Sequence, residues 1–187
     1  MKVTHSNIST KRVKTMTRGN HFHGPTTHAL HVTKYVVVLI VLFTLSAKLS
    51  AQDATVAWLN FEQLQDSLTA KPKKVFIDFY AEWCSYCKKM DRTSFRKSEI
   101  VSKLNSEYYA VKMDIETSDT IVFDGQKYLN KDFGKKRNAI HEIPLLLASR
   151  DGVPFSLPAI VVLNESFQVT QRYFEYIPPK KMLEILK

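Results

Sequence analysis

Cys84 and Cys87 are the only cysteines in the chain, and they stand three positions apart in the string VFIDFYAEWCSYCKK at 75–89. A Cys-x-x-Cys pair that follows a strand-like run and opens a helical segment is a redox arrangement. The unpaired N–H groups and the dipole of a helix N-terminus favour a thiolate, so a thiol placed there ionises readily and becomes a nucleophile. Cys84 has that place, with Lys88 and Lys89 adding positive charge just behind it. Cys87 follows one helical turn later, near enough to close a small ring. The spacing therefore predicts an exposed nucleophile at Cys84 and a shielded resolving thiol at Cys87. Asp78 is the other residue with chemistry, a lone carboxylate inside the otherwise apolar run 75–80. Such a run suits a strand buried on both faces. A carboxylate desolvated there has a raised pKa and stays partly protonated near neutrality, whereas an edge-strand aspartate in water would not.

Other uses of the pair meet physical objections. A structural zinc site wants four ligands and would have to recruit His141 and a carboxylate. A purely structural disulfide across two residues closes a tiny loop and removes little unfolded-state entropy. A binding or chaperone module with incidental cysteines needs neither a buried strand carboxylate nor a cysteine at a helix start. Dithiol exchange calls for no metal and no organic cofactor.

The elements that must position these groups are also visible. Apolar residues at 58, 59, 61, 64 and 68 recur near a 3.6 period, predicting a helix that covers the sheet and stops at Lys71-Pro72. Ser98 suits the N-cap of a short helix with Ile100, Val101 and Leu104 on one side. Residues 108–113 read as a strand, on which Lys112 has the look of an exposed lysine. From 117 to 156 the connection is much longer than the usual 2 to 6 residues or so. Within it 123–126 predicts a turn, 135–137 a solvated basic patch and 138–149 a crossover helix interrupted or restarted at Pro144; His141 reads as a structural histidine before an acid-base group. Residues 159–163 then form a central strand, 167–173 its antiparallel partner, and Pro178-Pro179 starts a last helix with Met182, Leu183 and Leu186 inward. That order is an α/β sandwich with a mixed sheet.

The string DFYAEWCSYCKK resembles the active-site segment of the thioredoxin-like family, with Asp78, Trp83, Cys84, Cys87 and Lys88 on motif positions. It is similar to exported members and to the C-terminal thioredoxin domain of transmembrane thiol-disulfide interchange proteins, whose motif continues K-x-M-x-x-x-x-F; Lys88, Met90 and Phe95 match. Residues 157–163, LPAIVVL, resemble the family's cis-proline and core strand. The likeness runs from Trp58 to the C-terminus, except in the segment before Pro158. It implies an α/β thioredoxin fold, a central mixed β-sheet sandwiched by helices, with an insertion before the cis-proline strand. It also implies a redox-active Cys84–Cys87 disulfide, Asp78 as acceptor of the Cys87 proton, and a substrate-binding lip of Trp83, Leu157 and Pro158. Lys112 falls where the family has a lysine near the buried aspartate. The implied partners are protein disulfide substrates and a redox partner protein. Ser85-Tyr86 is neither the Gly-Pro of ordinary thioredoxins nor the Pro-His of strong oxidants, so the direction of exchange stays open.

Charge divides the chain. No acidic residue precedes Asp53, while seven of the nine net positive charges lie before residue 52; beyond it, 20 basic residues face 18 acidic ones. A nucleic-acid reading of the overall basicity therefore fails. Residues 35–47 form a 13-residue apolar run between Lys34 and Lys48, short of the 17 to 25 or so that span a bilayer and suited to a signal-peptide core. Small residues follow, and a cut between Ala51 and Gln52 leaves 1–51 as leader and 52–187 as the domain. The basic stretch before the core is long for a leader and carries five histidines, so either the true start lies downstream, as at Met16, or the segment is an uncleaved anchor, the only predicted tie to a membrane. With no acidic or cysteine companion, those histidines suit a solvated tract better than a metal site. Either way the domain is expected outside the cytoplasm, in a periplasm.

Overall fold

The computed structural model describes residues 34–35 and 55–187, so all of the leader but residues 34–35, and its cleavage point, lie outside the described residues. Among those residues no helix is long and apolar enough to cross a membrane. The scaffold is a four-stranded sheet in the order β2-β1-β5-β6. Strand β1 (Lys74–Tyr80) pairs in parallel with β2 (Tyr108–Asp114) and antiparallel with β5 (Ala159–Leu163), which pairs antiparallel with the edge strand β6 (Val169–Tyr173). With a neighbour on either side and helices on both faces, β1 is buried from Val75 to Phe79, which is why its sequence is apolar rather than alternating.

Successive side chains of β1 go to opposite faces. Val75, Ile77 and Phe79 enter one core with Phe61 and Leu64 of α1 (Phe61–Ala70) and Ile143 of α4 (Glu142–Ala148). Phe76 enters the other with Met90 of α2 (Ser85–Arg92), Ile100 and Leu104 of α3 (Ser98–Glu107) and Met182 of α5 (Pro179–Ile185). Phe76 and Phe79 are fully buried, each contributing about 2–3 kcal/mol. Asp78 shares the parity of Phe76, and so points beneath α2.

Several expectations are adjusted. Helix α1 starts at Phe61 rather than Trp58, because Asn60 and Gln63 form a reciprocal cap at 2.8 and 3.0 Å while Leu59 is held in extended form against β2 by bonds to Ala110 and Lys112. Ser98 is the first residue of α3, not its cap; a 3-10 turn at Ser94–Arg96 runs into the helix and leaves Lys97 at the cap without a side-chain bond. The insertion builds a hairpin of β3 (Ile121–Phe123) and β4 (Gln126–Tyr128). Its turn residues Asp124 and Gly125 have φ of 50° and 71°, the left-handed pair that a two-residue hairpin needs. The crossover helix is shorter than expected. Pro144 sits in its first turn, where a missing N–H costs nothing, and His141 caps it by accepting the Ile143 N–H at 3.2 Å. Phe167 stays outside β6, in the turn, at φ 58°.

Candidate active site

The site lies at the C-terminal end of β1. A turn closed by the Cys84 N–H on the Ala81 carbonyl, 3.0 Å, brings the chain from strand to helix. Cys84 is then the N-cap of α2, and its Sγ accepts the Cys87 N–H at 3.1 Å. The two cysteines are joined in a disulfide with their Cα atoms 5.3 Å apart. Cys84 is not the exposed residue that its position predicted. It is 4% exposed and Cys87 1%, because the 81–84 turn folds the capping sulfur down onto the first turn of the helix.

Asp78 is fully enclosed, and neither carboxylate oxygen has a hydrogen-bonded protein partner. Burial pushes its pKa from 3.8 up to about 7, opposed by the Lys112 charge and assisted by that of Asp91. Lys112 is its register partner on β2, with Nζ 3.5 Å from Oδ2, at the outer limit of a hydrogen bond. The expected exposed lysine is thus mostly covered, its side chain 18% exposed. Its ammonium lies 5.4, 5.0 and 5.8 Å from the rings of Trp58, Tyr80 and Phe95 and bonds Asp91 at the far end of α2. Asp78, Lys112 and the half-exposed Asp91 therefore form a charged chain from under the helix to solvent. Asp91 went unnoticed in the sequence; an acidic residue two turns beyond Cys84 was the available signal.

Pro158, preceded by a cis peptide bond, is buried and immediately precedes β5. Ala159 pairs with Phe79, so Leu157 and Pro158 fall at the same end of the sheet as Cys84. Trp83 is 55% exposed. His141 has its ring committed to backbone: both ring nitrogens engage main-chain groups, Nε2 facing the Asp119 carbonyl at 3.2 Å. Among the described residues no cluster of three or more His, Cys, Asp or Glu is placed to hold a metal.

A mixed sheet between two helical layers, with a Cys-x-x-Cys disulfide at a helix N-terminus and a buried carboxylate below, defines a thioredoxin-like protein. Residues 61–187 match the thioredoxin-like domain family, and the chain belongs to it. Over 71 residues it is 31% identical to the thiol:disulfide interchange protein DsbD of Campylobacter jejuni strain RM1221, and over 74 residues 31% identical to that of Vibrio cholerae. Each match takes in 38% of this chain but spans only 12% of the relative's length. Among solved structures, the C-terminal domain of Neisseria meningitidis DsbD in its reduced form aligns at 20% identity with a TM-score of 0.45, over 67% of this chain and 89% of that one.

Proposed function

We propose that this protein is a thiol-disulfide oxidoreductase that reduces or exchanges disulfides in protein partners. The observation that carries this reading is the capping contact between Cys84 Sγ and the Cys87 N–H, with an enclosed carboxylate, Asp78, on the strand that leads into it. In the reduced protein the Cys84 thiolate attacks a partner disulfide. A bond forms between Cys84 and one partner sulfur, and the other leaves as a thiolate. Asp78 takes the Cys87 proton, the Cys87 thiolate attacks Cys84, and the second partner sulfur departs. The partner gains two electrons and the Cys84–Cys87 disulfide is restored; a partner protein dithiol reduces it again. Trp83, Leu157 and the backbone beside Pro158 form the lip over which an extended partner segment lies. The leader composition at 1–51 supports export to a periplasm, with 52–187 as the working domain. The 31% identity to DsbD over 71 residues supports the exchange chemistry.

Cys87→Ala expressed with the leader accumulates mixed disulfides that collapse with reductant on a non-reducing gel, and Cys84→Ala traps far less. Equal trapping by both variants would overturn the roles of the two sulfurs. No trapping and no reduction of insulin would leave a binding module. Equilibration with glutathione sets the direction, since Cys-x-x-Cys proteins span about −270 to −120 mV.

A further inference from the structure

Both sulfurs are nearly covered, so a partner reaches them across their neighbours. One of these, Tyr86, is 56% exposed, and Trp83 on the other side of Cys84 is 55% exposed, so large aromatic surface is open to a partner beside the disulfide. Its ring faces that of Tyr176 at 6.2 Å and 33°. Tyr176 belongs to the segment between β6 and α5 and is pinned from α2: Lys89 Nζ lies 4.2 Å from its ring centre, and the Thr93 hydroxyl is 3.2 Å from its own. The next residue is anchored too, the Ile177 N–H to Met90 Sδ at 3.4 Å and its carbonyl to the Ser94 hydroxyl at 2.7 Å. The Tyr176 ring is therefore held in place before any partner arrives, which lowers the entropy cost of binding.

Among the described residues, the charge around the rings leaves two cations without an acidic partner. Lys88, Lys89 and Arg92 lie on the exposed side of α2. Among nearby acids, Glu82 pairs with Lys88 at 3.5 Å, Asp91 with Lys112, and Glu175 with Lys181 at 2.6 Å. Among the described residues, Lys89 and Arg92 have no carboxylate within ion-pair distance.

We propose that Tyr86, Tyr176 and Lys89 form a ledge that selects partner segments carrying an aromatic side chain and an acidic residue beside the reacting cysteine. The proposal rests on the exchange reading above. An aromatic side chain stacks on the ledge, and the acidic residue meets Lys89 and Arg92.

The test uses the reduced full chain and four peptides, each cyclised through one disulfide, with Phe or Gly after the first cysteine and Glu or Lys two residues on. Each rate is divided by the same protein's rate with 2-hydroxyethyl disulfide, which has no side chain to recognise. The Phe/Glu peptide should react about tenfold faster than Gly/Lys, a size set by one stacked pair and one exposed ion pair. Tyr86→Ala, at an exposed position, should cut the Phe preference to less than about twofold, as should Tyr176→Ala, while Tyr176→Phe keeps it. Lys89→Glu should reverse the charge preference. Equal rates for all four peptides, or an undiminished preference in Tyr86→Ala, would overturn the ledge. Failure with 2-hydroxyethyl disulfide as well would overturn disulfide exchange itself.

Discussion

Replacing Asp78 by Asn removes a proton that the folded chain holds and the unfolded chain releases. The unfolded carboxyl ionises near 3.8 and the folded one near 7. At about 1.4 kcal/mol per pH unit, that difference is worth about 4 kcal/mol. Because the folded value is the higher, Asp78 favours the native state fully below pH 3.8, and this contribution is lost as pH rises to about 7. Wild-type stability relative to Asp78→Asn should therefore fall between pH 5 and pH 8 by about 3 kcal/mol. The Asn amide brings a buried donor with no partner, a penalty of about 1–3 kcal/mol that is the same at every pH. The quantity to read is thus the slope of the difference, from urea unfolding of both oxidised proteins at half-unit pH steps. In turnover, Asp78→Asn should slow release of the mixed disulfide on the order of 100-fold near pH 7, and less at high pH, where Cys87 ionises unaided. Parallel stability profiles would refute the desolvated carboxylate, and an unchanged pH–rate profile would remove Asp78 from proton transfer.

Lys112 and Asp91 should move the Asp78 titration in opposite directions. Lys112→Met removes the charge that opposes protonation, so the pH–rate midpoint rises; Asp91→Asn removes a like charge and frees Lys112 for Asp78, so it falls, as stopped-flow release rates across pH 5–9 would show. His141 is held neutral, its pKa lowered by burial; stability it lends should be present above about 6.5 and lost as pH falls below that value. His141→Ala should cost about 1 kcal/mol through the lost cap, and His141→Asn should keep the cap and remove the acid sensitivity, both read from thermal unfolding at pH 5.5 and 7.5. Mass spectrometry of protein from the exported fraction should find a chain beginning at or near Gln52; an intact leader retained in the membrane would replace cleavage with an anchor.

What lies within one helical turn or one strand was open to reading from the residues alone. The Cys84–Cys87 spacing, the capping place of Cys84 and the two-sided burial of 75–80 follow from chain geometry and apolar pattern, which need no distant partner. The insertion showed as excess length, but its hairpin and its His141 cap depend on packing against α1 and on backbone 22 residues away. Helix α1 was misplaced at its start because hydrophobic period counts Trp58 and Leu59, whereas pairing of Leu59 with β2 takes them out. The desolvation that raises the Asp78 pKa was legible in the apolar run, but the charges beside it belong to register: Lys112 is 34 positions from Asp78 and sits opposite it only because β1 and β2 pair in parallel in that register. Tyr176, 90 positions from Tyr86, reaches it only because β6 returns the chain to the end of the sheet where α2 begins. Sequence determined which groups could react; the sheet decided which charges and rings surround them, because contacts between strands carry no fixed spacing along the chain.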